Sequence, residues 1–313
     1  MASKNGPNNT DSSSGATVRT DEAHDGSRWP DANFESDATG EAARLVRELT
    51  RISQELDPRV SADWTLRRLM FFAYELQTRV APDASEKEKL AILNDFFFIE
   101  KKFKRIPELN DLGDPSDAYR IGSVLATRRG SATVLAVVYA FLAERVGISL
   151  GFVDLKPASF LKWNKLSHGK EKIRACYIDI TRFGAILSDE ELIETLHTRF
   201  QIHSVCHASV LEAYIFETYI CDYLRDLKRS LAASHCDPEQ LLFVHSALIS
   251  YQPNNLQLLA ERALLHRRIG NFKSALADLK RFFAFHERDQ APSEFVSLYE
   301  ELVELLERNS PSI

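Results

Sequence analysis

Apolar residues recur at helical spacing along much of the chain that follows residue 40. Residues 41–56 and 64–80 each carry an apolar stripe with a period of three to four residues, which predicts two amphipathic helices. Pro58 and Pro82 follow these segments, and a proline is a strong helix breaker. The N-terminal part of the globular region is therefore predicted to be helical.

A third helix is predicted after Pro82. Ser85-Glu86-Lys87-Glu88 has the spacing of a capping box, which satisfies two free N–H groups at a helix start. The helix carries Phe96-Phe97-Phe98 and extends toward Phe103. We interpret these aromatic residues as part of the core rather than as a ligand pocket, because rings at this spacing usually pack inside a protein.

The most apolar helical segment begins after Arg128-Arg129-Gly130 and extends to Val146. Ser131 has the side chain of a helix N-cap, and Gly147 is a stop signal. A helix that is apolar nearly all round is typical of a buried position, so this helix is predicted to be central. Its N-terminus is where a nucleophile would gain most from the helix dipole.

Strands are predicted only after this central helix. Residues 148–155, 159–163 and 173–180 have strand composition, with a polar turn containing His168-Gly169 before the last. Ser188 then begins a capping box for a helix reaching about residue 200, and 208–233 has the pattern of one long helix. The residues before the central helix, 104–122, are rich in Pro, Gly, Asn and Asp and are predicted to be a long loop. The loop's Asp111, Asp114 and Asp117 lack the spacing of a calcium-binding loop.

The C-terminal region has a repeat. Gly270, Phe272, Ala275 and Leu279 match the small-residue and aromatic positions of a tetratricopeptide (TPR) helix pair. We predict a degenerate repeat over 222–249, a better one over 255–286, and a capping helix over 293–308. Because fewer than three repeats rarely fold alone, these helices should pack on the rest of the protein.

Composition and charge exclude some classes of function. The chain of 313 residues has a formal net charge of −6, which argues against a protein that binds nucleic acid by neutralising phosphates. No apolar run has the length of a membrane span, and the four cysteines form no CxxC pair. We therefore expect reduced thiols, a cytoplasmic location and no membrane insertion. Residues 1–38 are polar and predicted to be a disordered tail, followed by domains over 39–205 and 206–313.

The order of several short motifs resembles a known family. Arg128-Arg129-Gly130 before a buried helix, Gly151-Phe152-Val153, Pro157-x-x-Phe160-Leu161 and Ile178-Asp179 are similar to the pattern of bacterial SirB-type transglutaminase-like proteins. The resemblance covers about residues 41–308. It implies an α+β fold that is mainly helical, in which a papain/transglutaminase-like core is followed by TPR-like helical hairpins. It also implies that the 104–122 loop lies across the mouth of the site.

The resemblance implies a degenerate catalytic triad. Active relatives carry Cys at the start of the central helix, His on the second strand and Asp on the third. The matching positions here hold Ala132, Ser159 and Asp179, which we expect to converge in space. Without a thiol and an imidazole, no covalent route remains at these positions, so we expect no catalysis.

No other residue replaces the missing groups convincingly. Ser131 has no identifiable base, Cys176 should lie on the opposite strand face from Asp179, and His168 has the setting of a solvated turn. His203 and His207 have an i, i+4 spacing that can bind metal, with Cys206 beside them, but the carboxylate of a zincin pattern is absent. We therefore expect neither a metal nor a cofactor.

The sequence thus favours a protein-binding, scaffold or regulatory role in the bacterial cytoplasm. A cysteine- or serine-dependent hydrolase or transferase using relocated residues, and a small-ligand sensor, are the alternatives. A basic stripe on the C-terminal helices could steer an acidic partner segment, although a merely solvated helix face has the same appearance. Its members are Arg262, His266, Arg267, Arg268 and Arg281.

Overall fold

Helices form most of the structure, a computed structural model that describes residues 39–106, 114–155, 158–164, 175–203, 215–234 and 236–308. Eleven α-helices and two small sheets lie within these ranges, so the predicted mainly helical α+β class is confirmed. The described residues fall within one compact unit. The predicted tail over 1–38 lies outside the described residues, and the predicted boundary at 205/206 stays a prediction.

The first three helices lie close to the positions that their patterns predict. They are α1 (Glu41–Leu56), α2 (Ala62–Gln77) and α3 (Glu86–Asn94). Ser85 and Glu88 make the predicted capping box of α3. After α3 the helix widens into a π-helical turn, Asp95–Glu100, which the sequence did not predict. Phe96, Phe97 and Phe98 are buried, which confirms that they belong to the core.

The segment predicted as a long loop contains short regular elements. They are β1 (Lys104–Arg105) and a 3-10 helix (Pro115–Tyr119). Helix α4 (Ile121–Thr127) begins just before the end of the predicted loop. Asp114 starts the 3-10 helix, because its Oδ1 accepts from the backbone N–H of Ser116 at 2.9 Å and Pro115 occupies the first helical position. Strand β1 pairs in parallel with β2 (Arg129–Gly130). Residues 107–113, including Asp111, lie outside the described part of the chain.

The central helix is α5 (Ala132–Arg145), and every residue from Ala132 to Ala143 is buried. It packs against α1, α2, β3 and β4, which explains why apolar residues occupy all of its faces. The predicted burial of this helix is therefore confirmed.

A four-stranded antiparallel sheet follows α5, in the order β3-β4-β5-β6. Its strands are β3 (Leu150–Leu155), β4 (Ala158–Asn164), β5 (Ala175–Asp179) and β6 (Ala185–Leu187). The sequence predicted the first three and missed β6, which is only three residues long. A 3-10 turn, Ile180–Arg182, connects β5 to β6.

The two faces of this sheet contact different apolar clusters. Leu161 and Ile178, which pair across β4 and β5, belong to the main core that contains α5. Phe160 and Tyr177 point to the other face, where they pack with Leu192 and Leu196 of α6 (Asp189–Arg199). The alternation of side chains along a strand thus decides which residues of β4 and β5 can face the central helix.

Five helices complete the described chain. They are α7 (Phe216–Ala233), α8 (Pro238–Tyr251), α9 (Leu256–Arg268), α10 (Phe272–Phe283) and α11 (Ser293–Arg308). Each packs on the next one along the chain. Asp237 caps α8 and Pro238 occupies its first position, as predicted. Gly270 joins α9 to α10 with a φ of 80°, a conformation that favours glycine.

The first three C-terminal helices share the main core with the N-terminal ones. Tyr219, Leu248 and Leu258, from α7, α8 and α9, belong to the same buried cluster as residues of α1 and α5. This confirms that α7 to α9 pack on the rest of the protein, whereas α10 and α11 pack with α9 in a separate apolar cluster. Helices are present over the segments that were predicted as repeats, and their assignment as TPR repeats stays a prediction.

Candidate functional site

The first turn of α5 is where the sequence resemblance places the nucleophile. Ala132 is the first residue of the helix and is 8% exposed, so it lies at the edge of the core. Ser131 precedes it as the N-cap, and its Oγ accepts a hydrogen bond from the backbone N–H of Val134 at 3.2 Å. The backbone N–H of Ser131 donates to the carbonyl of Ala118 at 2.8 Å, which fixes the helix entry. The position therefore has the helix geometry that would activate a thiolate, but a methyl group stands there.

A tyrosine from α7 lies beside this first turn. The Tyr219 hydroxyl donates to the carbonyl oxygen of Thr133 at 2.8 Å, and its ring contacts Phe152 of β3 with 4.7 Å between centroids. Tyr219 is buried. Sequence reasoning missed this contact, because nothing in the helical pattern of α7 distinguishes Tyr219 from any other core residue.

Ser159 lies at the start of β4 and faces the central helix. It is 6% exposed, and it lies on the same face of β4 as Leu161 and Trp163, which both belong to the main core. Ser159 therefore lies on the sheet face where the resemblance expects a catalytic base. Its hydroxyl cannot act as a base near neutral pH.

Asp179 lies on the neighbouring strand but faces the other way. It pairs with Phe160, and both alternate with residues of the main core, so its side chain is directed to the face covered by α6. The expectation that Ala132, Ser159 and Asp179 converge is therefore wrong for Asp179. The physical reason is the strand register, because a shift of one residue moves a side chain to the opposite face.

The Asp179 carboxylate stabilises the turn that follows β5. Its Oδ1 accepts from the backbone N–H of Thr181 at 2.8 Å and from the Thr181 hydroxyl at 2.6 Å. Its Oδ2 accepts from Arg199 of α6 at 3.2 Å. A backbone N–H, a hydroxyl and an arginine therefore satisfy this buried carboxylate.

The described cysteines do not have the setting of activated nucleophiles. Cys176 pairs with Trp163 and packs on the main core, so it lies on the opposite sheet face from Asp179, as predicted. Burial raises the pKa of the Cys221 and Cys236 thiols above the ordinary value, which disfavours the reactive thiolate. All three are free thiols. Cys206 lies outside the described residues.

The described histidines lie on α6, α8 and α9 or follow α6 and α10, so none of them is part of α5. The rings of His197 and His203 lie 5.2 Å apart, at the α6 side of the sheet. His245 is buried in α8, and burial lowers its pKa to about 4, so it is uncharged at neutral pH. His168 and His207, which sequence reasoning weighed as a base and as a metal ligand, lie outside the described residues. Within the part that is described, no group of three or more metal-ligating side chains occurs.

The predicted basic stripe divides into partly buried and exposed members. Arg262 of α9 donates two hydrogen bonds of 2.7 Å to Asp278 of α10, and His266 lies 3.9 Å from the same carboxylate. These two side chains therefore link helices and do not belong to an exposed stripe. Arg267 is exposed and pairs with Glu301. The other two exposed members of the stripe are Arg268 and Arg281. A binding role for this surface stays a prediction.

Comparison with known proteins identifies the family. The transglutaminase-like superfamily matches residues 47–214, a span that includes α5, all strands of the antiparallel sheet, and the positions Ala132, Ser159 and Asp179. No curated protein and no solved structure matches the chain significantly. The matched span covers more than half of the sequence. The chain therefore belongs to the transglutaminase-like superfamily.

Proposed function

We propose that this chain is a non-catalytic member of the superfamily that acts as a protein-binding, scaffold or regulatory module. The observation that carries the proposal is the first turn of the buried helix α5. It presents the methyl group of Ala132 where the SirB-type pattern has a cysteine, and the oxygen of the adjacent Ser131 accepts the N-cap hydrogen bond. Nucleophilic catalysis at this position would need an ionisable group that this turn does not carry.

The other two triad positions support the same proposal. Ser159 cannot accept a proton as an imidazole does, and Asp179 is turned to the other sheet face and bonded to Thr181 and Arg199. An orienting carboxylate must contact the base that it orients. In this arrangement Asp179 serves the fold instead.

The helices α7 to α11 supply the binding surface in this proposal. Their consecutive packing and the glycine turn at Gly270 are consistent with TPR-like hairpins, which commonly bind peptides or helices. Arg268 and Arg281 are exposed and form no ion pair with the described residues, and they would favour an acidic partner segment. The free thiols fit the reducing cytoplasm of a bacterium.

A thiol-labelling experiment tests the absence of catalysis. We expect iodoacetamide to label the native protein slowly, because burial raises the pKa of Cys221 and Cys236. The variant Ala132→Cys should react at least about tenfold faster, because the N-terminus of α5 stabilises a thiolate. The measurement is the labelling rate per cysteine, followed by mass spectrometry at neutral pH.

Two outcomes of this experiment would contradict the proposal. Fast labelling of a single native cysteine, Cys176 or Cys206, would favour the hydrolase or transferase alternative. An Ala132→Cys thiol as slow as the native ones would mean that Ala132 does not occupy the nucleophile position. Ala126→Cys, at an exposed site one helix earlier, is the control for an ordinary accessible thiol.

Affinity capture with the full chain tests the binding role. We expect Arg268→Glu with Arg281→Glu to weaken capture of a partner about tenfold or more, because reversed charges repel an acidic segment. Ala132→Trp, which fills the space at the first turn of α5, should leave capture unchanged. Capture that survives the charge reversal and is abolished by Ala132→Trp would place the binding site in the degenerate cleft. This result would favour the alternative of a small-ligand sensor.

A further inference from the structure

Two large apolar side chains are largely exposed on neighbouring elements of the structure. Ile99, on the π-helical turn, is 68% exposed, and Phe183, after the β5–β6 turn, is 70% exposed. Phe98 connects them, because it precedes Ile99 in sequence and its ring lies 5.9 Å from the ring of Phe183. Neither tip is enclosed by neighbouring side chains, so both are available to a second surface.

The backbone at Phe183 is unfavourable for an aromatic residue. Phe183 has a φ of 54°, in the left-handed region that favours glycine or asparagine. Burial compensates little of this strain, because most of the side chain is exposed. Gly184 follows with a φ of 74°. A Cβ at this position would collide with the side chain of Asn94, so the turn requires glycine there. Strained residues of this kind concentrate at functional sites.

Three exposed cations lie on the segments that carry or adjoin these two apolar residues. Lys102 follows Ile99 by three residues, Lys104 lies on β1, and Arg182 precedes Phe183. Strand β1 packs against the 3-10 turn that carries Arg182, so the three belong to one region of the surface. None of them forms an ion pair with the described residues. We call these five residues, Ile99, Lys102, Lys104, Arg182 and Phe183, the 99/183 patch.

The acidic groups close to the patch are largely neutralised. Glu100 forms ion pairs with Arg79 and Lys101, and Lys101 also binds Glu75 at 2.7 Å. Asp95 lies one turn before Ile99 on the same π-helical turn, and its carboxylate is also exposed. The patch is therefore locally positive on a chain whose net charge is −6.

We propose that the 99/183 patch binds the surface of an anionic lipid bilayer, with Ile99 and Phe183 inserted shallowly and the three cations at the headgroups. An anionic membrane surface attracts nearby Lys and Arg, and their aliphatic stems extend along the apolar boundary. The negative charge elsewhere on the chain is screened beyond about 8–10 Å at physiological salt, so the local charge dominates at contact. None of the described helices combines the length and apolarity needed to cross a bilayer, so the contact is peripheral.

A bilayer matches these features better than a protein partner does. The tips protrude from a tight turn and a helical turn and need no complementary pocket in a fluid interface. The cations lie on three separate elements, which suits a diffuse layer of negative charge. This proposal does not rest on the protein-binding role, which concerns α7 to α11.

Vesicle co-sedimentation with the full chain tests the proposal. One vesicle preparation contains equal parts of phosphatidylcholine and phosphatidylglycerol, and the other contains phosphatidylcholine alone. We expect binding to the anionic vesicles at least about tenfold stronger than to the neutral ones, with a decrease as salt is raised.

Three variants separate the apolar and charged contributions. Lys102→Glu, Lys104→Glu and Arg182→Glu together should weaken anionic-vesicle binding about tenfold or more. Phe183→Gly should weaken it several-fold while the melting temperature stays the same or rises, because glycine relieves the left-handed strain. The matched control reverses three exposed cations elsewhere, Lys87→Glu, Lys273→Glu and Lys280→Glu, with the same change in net charge.

Several results would overturn the proposal. Equal binding to both vesicle types, or no binding to either, would exclude an anionic bilayer as the ligand. An equal loss in the matched control would show that net charge, and not the patch, determines binding. A protein captured by the native chain and lost only by the patch variants, without vesicle binding, would assign the patch to a protein partner instead.

Discussion

Replacing Asp278 with alanine is expected to lower the free energy of unfolding by about 3 kcal/mol. The Asp278 side chain is 6% exposed, and it accepts from Nε and Nη2 of Arg262 at 2.7 Å each. The substitution leaves the guanidinium between α8, α9 and α10 with Ser246 as its remaining hydrogen-bond partner, at 3.2 Å. The effect lies at the lower end for a broken buried pair, because a fifth of the Arg262 side chain reaches solvent. Urea unfolding followed by circular dichroism measures it.

An exposed ion pair of the same helix region is the control. Arg267 and Glu301 are each about half exposed, so Arg267→Ala should change the free energy of unfolding by less than about 1 kcal/mol. Arg262→Met combined with Asp278→Leu should recover much of the loss, because it removes both charges together. If Asp278→Ala were as mild as Arg267→Ala, Arg262 would not be a structural residue and could again belong to a partner-binding stripe.

The fold could be predicted from the sequence where the signals are local. The capping boxes at Ser85 and Ser188 and the cap and proline at Asp237-Pro238 are satisfied within a few residues of each helix start. Local hydrogen bonds of this kind do not depend on distant parts of the chain, so the sequence alone predicts them. Burial of α5 was predictable for a related reason, because a helix apolar on every face has no stable exposed orientation.

The site was less predictable because it depends on pairing between distant segments. The motif order located Asp179 on the third strand, but only the register Phe160–Asp179 shows which face it occupies. In the same way Arg262 has the spacing of a surface charge, and its partner Asp278 becomes apparent only when α9 and α10 are stacked. The 99/183 patch also joins residues from separate elements, none of which forms a motif by itself.

Replacing Asp179 with alanine is expected to lower the free energy of unfolding by about 2–3 kcal/mol. The carboxylate is fully buried, and its removal leaves the Thr181 N–H and hydroxyl without their acceptor and Arg199 without its anion. Asp179→Asn should be milder, because an amide oxygen can still accept from Thr181 while the charge is lost. Thermal and urea unfolding of both variants provide the measurement, with Asp95→Ala at an exposed carboxylate as the control.

The same variants decide whether Asp179 retains a role from a catalytic ancestor. If the residue serves the β5–β6 turn, the folded Asp179→Asn protein should capture a partner as the native chain does, because Asp179 lies outside α7 to α11, where we propose that a partner binds. Unchanged stability with lost capture would give the opposite answer and make Asp179 a functional residue. The turn carries Phe183, so Asp179→Ala should also weaken vesicle binding through the 99/183 patch if it disorders that segment. A stable Asp179→Ala protein with intact vesicle binding would mean that the carboxylate does not hold the turn.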